Sequence, residues 1–239
     1  MGEKIINIDG IGNVTFRRSQ RARYLNISVR PFIGARVSVP IGMSYKSAEV
    51  IVKERKIWVN KHLDKMREIE KQQTEFDESS GYSTRKHKLV LKSADRKNIS
   101  VRLSNEKINI IYPLELRSNS KEVQTAIRKG IERALRNEAK EYLPAKVKEL
   151  ATKFGFEFNE LYLKNIKSRW GSCSQKNNIN LSIHLMRLED HLIDYVILHE
   201  LAHTVEHNHS QKFWNLLDAV TGGAKKLDKE LRKYRIAIY

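Results

Sequence analysis

A single cysteine, Cys173, in 239 residues leaves no internal disulfide to brace the fold and suits a reducing compartment. No apolar run approaches the roughly 20 residues that span a bilayer. The opening MGEKIINIDGIGNVTF has neither the apolar core nor the small-residue cleavage site of a secretory signal. It also lacks the Ser or Thr at the sixth position that N-myristoylation favours. The expectation is a soluble, cytoplasmic protein with no membrane segment. Acid is scarce as well. Between Asp9 and Glu49 there is none, while Arg17, Arg18, Arg21, Arg23, Arg30, Arg36 and Lys46 accumulate.

Lys+Arg 45 against Asp+Glu 28 gives a formal charge of +17, and the tail repeats the bias with Lys225, Lys226, Lys229, Arg232, Lys233 and Arg235. Such a field attracts polyanions, nucleic acid first, by releasing their counterions. A solvated basic surface is the plainer reading of the same charges.

A hydrophobic content of 40% suits one large domain or two small ones. An internal repeat precedes any motif. Asn26-Ile27-Ser28-Val29-Arg30 recurs as Asn98-Ile99-Ser100-Val101-Arg102. After each copy an apolar run ends in proline, at Pro40 and Pro113, and a Ser-containing segment then opens a helical pattern, at Ser47 and Ser120. The predicted unit is strand, turn, strand, helix, used twice. Helical spacing predicts one helix over about 45–70, including Trp58, and another from Lys121 that Pro144 ends or kinks before a further piece to Phe154. The polar stretch 71–86 reads as a linker or exposed loop. The organisation expected is 1–86 for the basic strand-strand-helix unit and linker, 87–120 for a second strand pair, and 121–239 for the catalytic part.

In the C-terminal half, Tyr162–Ile166 reads as a strand. Asn177-Asn178 is a turn before Ile179, Leu181 and Ile183, whose alternation suits a half-buried or edge strand. A helix capped by Asp190 runs to about Glu206, and another covers Ser210 to Thr221 before Gly222-Gly223.

Four of the eight histidines crowd into HELAHTVEHNH, residues 199–209. His199 and His203, four apart on a helix, point the same way at a spacing that lets both imidazoles reach one ion. Glu200 lies off that line and suits a base that takes the proton of an attacking water. A third ligand is required. His209 follows His203 by six residues, as in the metzincin pattern, but Glu206 replaces its turning glycine and no methionine follows for a Met-turn. Asn208, tolerant of a left-handed conformation, is the expected turning residue. His207 is the rival ligand, and Asp218 or Glu230 would complete a gluzincin-type site. The plain alternative is a polar, solvated helix face.

Ser168-Arg169-Trp170-Gly171-Ser172-Cys173-Ser174, Ile193-Asp194-Tyr195-Val196, HELAH, Asn208-His209-Ser210 and Phe213-Trp214 together resemble the YgjP-like metallopeptidase family, a relative of the SprT-like and WLM zincins. RRSQRAR, VSVP and Trp58 extend the resemblance into the first half. It implies an α+β fold with a gluzincin-like minimal zincin domain, Zn2+ held by His199, His203 and His209, and Glu200 as catalytic base. Ser182 departs from the family's usual Asn, and a proline expected before the active helix is missing.

Arg169, Trp170, Asn180 and Ser182 are the candidate substrate-binding residues, on a turn and a strand expected to rim the cleft. There an extended peptide would add as a further strand. Arg169, and less directly His184 and Tyr195, are candidates for stabilising an anionic intermediate. Cys173 has no identifiable activating partner. The leading expectation is peptide-bond hydrolysis. The alternative is a basic nucleic-acid-binding protein or adaptor on a zincin scaffold, acting on DNA-bound proteins in a combined version.

Overall fold

The computed structural model describes residues 3–30, 33–71 and 74–236, and its chain divides into two compact units meeting at Thr74/Glu75. The strand pair expected as a separate segment at 87–120 belongs to the second unit. Among the described residues no helix is long and apolar enough to cross a membrane.

The first unit contains β1 (Glu3–Ile8), β2 (Gly12–Ser19), β3 (Asn26–Arg30), β4 (Gly34–Pro40), α1 (Tyr45–Glu54) and α2 (Lys56–Lys71). The strands order as β1-β2-β4-β3, with β2 and β4 parallel and the other pairs antiparallel. Alternation sends Val14, Phe16, Ala35, Val37 and Val39 to one face, where they bury with Ala48, Val52 and Val59 of the helices. The single helix expected over 45–70 is two, because the backbone leaves helical geometry at Arg55 (φ −91°, ψ 14°). Trp58 lies outside this core, 40% exposed and stacked on His62.

In the second unit, β5 (Lys88–Ala94), β6 (Ser100–Ser104) and β7 (Lys107–Pro113) order as β5-β7-β6, with β5 parallel and β6 antiparallel to β7. The 34-residue α3 (Lys121–Phe154) packs on this sheet. It runs unbroken through Pro144. The proline and Lys140, whose carbonyl loses its helical N–H donor, are both exposed, a setting in which water can replace the lost donor.

The segment expected as a linker or exposed loop is a mostly exposed loop that also straps onto α3, apart from Gln72 and Gln73, which lie outside the described residues. Phe76 is buried, and Gln124 of α3 brackets its backbone, accepting from its N–H (3.1 Å) and donating to its carbonyl (2.6 Å). Further on, the Glu138 carboxylate accepts from Thr84 Oγ1, the Lys86 N–H and His87 Nδ1. A few groups of this polar stretch thus bind the helix while most of its residues stay exposed.

A second small sheet follows: β8 (Leu161–Lys164), β9 (Gly171–Cys173) and β10 (Ile179–Ser182), ordered β8-β10-β9. Asn177, left-handed at φ 54°, makes the expected turn. β10 is central, paired on both sides, so the expectation of an edge strand there is wrong and the edges are β8 and β9. A 3-10 turn (Ile183–Arg187) leads to α4 (Asp190–Ala202), α5 (Gln211–Thr221) and α6 (Ala224–Leu231), the last not anticipated from sequence.

Glu189, not Asp190, is the N-cap of α4. Asp190 pairs with Arg85 of the strap at 2.5 Å. The same guanidinium donates to the carbonyls of Met186 (3.2 Å) and Leu188 (2.8 Å), so one strap residue fixes the entry to α4.

Candidate metal centre

α4 is buried along most of its length, through Leu192, Ile193, Val196, Ile197 and Leu201. That apolar anchoring holds its last turn, where His199 and Glu200 sit and His203 is the C-cap. The helix stops at Ala202, short of the expected Glu206, and the chain reverses through right-handed turns, with Glu206 N–H donating to Ala202 O at 2.9 Å. Asn208 is not the turning residue. Among the described residues only Glu106 and Asn177 are non-glycines at positive φ.

The reversal brings His209 back. Its Nε2 lies 3.0 Å from His199 Nε2, and nitrogens of His199, His203 and His209 all lie within 4.8 Å of one another. His203 Nδ1 is 3.0 Å from the Glu206 carbonyl, which can only accept, so Nδ1 carries the proton and Nε2 keeps its lone pair. Burial pushes His199 down to about 3 and lowers His203, so both rings are neutral, the form that ligates a metal.

Phe213, fully buried on α5, is the platform under the rings. It stacks on His203 (4.4 Å, 22°) and meets His199 and His209 edge-on at 5.0 and 4.8 Å. In the sequence Phe213 carries part of the family resemblance, and its position four residues after His209 is the signal for this platform role.

These residues fit a metal. Three neutral imidazoles suit a divalent transition-metal ion, and tetrahedral bonds of about 2.0–2.1 Å would place neighbouring nitrogens about 3.3 Å apart. The rivals are engaged elsewhere. Asp218 accepts from Ala224 N–H at 2.9 Å at the start of α6, and Glu230 pairs with His191 at 2.8 Å. His207 is exposed and outside the cluster.

Glu200 is buried, and its carboxyl passes directly over Gly171 of β9. A Cβ there would stand 2.6 Å from Oε1 and 2.7 Å from Cγ. The Cys173 backbone N–H donates to the carboxylate. Burial pushes Glu200 up to about 8, opposed by the charge of Arg169 and by the Cys173 bond. Arg169 is exposed, and its charge favours the ionised form of Glu200.

The other candidates are placed differently. Trp170 is half-buried and its carbonyl accepts from Ser182 N–H at 2.8 Å. Asn180 Nδ2 donates to Ser172 O at 3.3 Å, tying β10 to β9. Ser182 is fully buried, its hydroxyl donating to Ile166 O (2.7 Å) and accepting from His184 N–H (3.3 Å). It holds the strand-to-turn connection and opens on no cleft. His184, also buried, bonds Asn165 at 2.8 Å, and Tyr195 is buried with its pKa raised by burial. Cys173 is pushed up to about 11 by burial and by Glu200, the opposite of an activated thiol.

A comparison with curated proteins found no match. Two solved structures are similar to the chain. One is the metallopeptidase zymogen jannalysin of Methanocaldococcus jannaschii, at 23% identity and TM-score 0.34, covering 38% of this chain and 93% of that one. The other is the metallopeptidase zymogen abylysin of Pyrococcus abyssi, at 22% identity and TM-score 0.35, covering 40% and 98%. Residues 23–234 match the family described as YgjP-like, metallopeptidase domain, and with most of its length inside that match the protein belongs to the YgjP-like metallopeptidase family.

Proposed function

We propose that the protein is a zinc-dependent peptidase in which His199, His203 and His209 hold the metal and Glu200 is the general base. The observation that carries this reading is the convergence of three imidazole nitrogens within 4.8 Å, beside a helix turn that carries a buried carboxylate. Zinc, when bound, supplies Lewis acidity that polarises the scissile carbonyl and makes water a better nucleophile near neutral pH.

Glu200 takes the proton of the attacking water on its carboxylate and delivers it to the departing amine nitrogen. Burial alone favours its protonated form, and a neighbouring cation restores the ionised base. Arg169 offsets negative charge that develops on the carbonyl oxygen.

The peptide adds to the outer edge of β9. Trp170 O and Ser174 N–H bond inward to β10. Antiparallel alternation therefore turns the Gly171 and Cys173 backbone groups outward, with Cys173 N–H given to Glu200. We also read β2–β4 with α1, and β5–β7 with α3, as copies of one duplicated unit, on the recurring pentapeptide and the shared strand order.

The test is metal analysis joined to a protease assay on a casein-type substrate. About one zinc per chain is expected. Glu200→Gln should retain metal and lose on the order of 10³-fold or more of activity, in line with proton transfer and preorganisation combined. A metal-free preparation with full activity in that variant would end the proposal.

A further inference from the structure

Among the described residues, the face of the β1–β4 sheet opposite its core is largely polar and basic, with Ile5 of β1 exposed beside Thr15. Alternation places Thr15 and Arg17 of β2, Arg36 and Ser38 of β4, and Asn26, Ser28 and Arg30 of β3 on it. The register makes a pattern of these residues that the linear sequence hides. Arg17 is opposite Ser38, Arg36 is opposite Ser28, and Arg30 is opposite Gly34. Arg17, Arg36 and Arg30 therefore step diagonally across three strands, each about 7–8 Å from the next.

Small hydrogen-bonding side chains fill the places between them. The β2–β3 connection adds exposed Arg21 and Arg23 and the aromatic ring of Tyr24, 83% exposed. One acid reaches the face: Glu3 pairs with Arg36 at 2.5 Å, both half exposed. A pair so solvated holds little energy, and a phosphate can displace it. Arg18 is turned the other way, bonded to Ile41 O and lying over the Tyr45 ring at 4.9 Å, so the basic run sorts into binding and structural members.

We propose that this face binds single-stranded nucleic acid, with Arg17, Arg36 and Arg30 tracking the phosphates and Tyr24 stacking on a base. The charge is complementary, and an arginine fork fits phosphate oxygens. A sheet face presents no helix or ribbon to enter a duplex groove, whereas a splayed strand can lie across it.

The experiment uses the full chain and fluorescence anisotropy with labelled 15-mers of oligo(dT), oligo(U) and duplex DNA, over a salt series, with and without chelator. Single strands should bind more tightly than duplex, chelator should change nothing, and the two single strands show whether DNA or RNA is preferred. The triple change Arg17→Ala, Arg30→Ala and Arg36→Ala should weaken binding at least tenfold and lower the salt slope by about 2, near 0.7 for each phosphate contact. The three Arg→Lys changes should keep most of the affinity, which separates binding from folding. Removing equal charge at Lys225, Lys226 and Lys229 should cost less than about threefold. Absent single-strand binding, a duplex preference, chelator sensitivity, or equal losses from the sheet and tail variants would each overturn the proposal.

Discussion

The sheets β5-β7-β6 and β8-β10-β9 share one plan, the first strand parallel to the third and the second antiparallel to it. In each, a glycine lets a helix and a strand approach more closely than a side chain would allow, but the two glycines sit on opposite partners. In the longer sheet the glycine belongs to the helix. A Cβ on Gly130 of α3 would stand 2.8 Å from Ile108 Cγ2, 3.1 Å from Ile110 Cδ1 and 3.2 Å from Val101 Cγ1. In the shorter sheet it belongs to the strand, and Gly171 gives its space to the Glu200 carboxyl. One close approach packs hydrocarbon and builds a scaffold. The other seats a carboxylate against a strand edge, where it can work on a bound peptide.

The sharpest way to break this comparison is to fill both spaces. Gly171→Ala should displace Glu200 and lower kcat/KM about 100-fold or more, because misplacing a catalytic group by an ångström has costs of that order. Metal content and far-ultraviolet circular dichroism should stay at wild-type values. Unchanged activity would show that the Glu200 position is not set by β9.

The two sheets should also differ in their response to acid. The packed face of β7 offers Ile108, Ile110 and Tyr112, whereas the connection leaving β10 buries His184, whose pKa falls to about 4 through burial, then through Arg187 and Lys167. The unfolded imidazole titrates near 6.5, so between pH 6.5 and 4 the unfolded state holds the extra proton. Stability is therefore present above pH 6.5 and lost as pH falls through 4, by about 3 kcal/mol at most. In chelator-treated protein His184→Gln should show a shallower loss than wild type over that window. Urea unfolding at pH 7 and 4.5 measures the difference, and parallel pH profiles would refute the assignment.

Much of the metal centre was legible because its grammar is local. Helix periodicity aligns His199 with His203, and His209 lies only six residues on. The seat of Glu200 was not legible, because Gly171 lies 29 residues upstream and its role exists only once β9 docks against α4. The strap's holds on the rest of the unit were not legible for the same reason, since Arg85 and Gln124 find partners far along the chain. The arginines of 17–36 were legible as charge, but their division between an open face and the Arg18 packing contact depends on strand register. Pro144 does not end α3, because a local breaking rule ignores which side of the helix is wet.

Gly130→Ala completes the comparison and should have the smallest effect. The new methyl must push aside branched side chains in a packed interface, at a cost of about 1–3 kcal/mol. Alanine's better helix propensity returns about 1 kcal/mol. The net loss should be roughly 0–2 kcal/mol, at about 2–4 °C of melting temperature per kcal/mol for a chain of this size. Specific activity per folded molecule should stay within about twofold of wild type, because α3 reaches the metal centre only through packing. Lost activity in a fully folded Gly130→Ala protein would mean that the scaffold sheet positions the histidines directly, and the division of labour between the two sheets would fail.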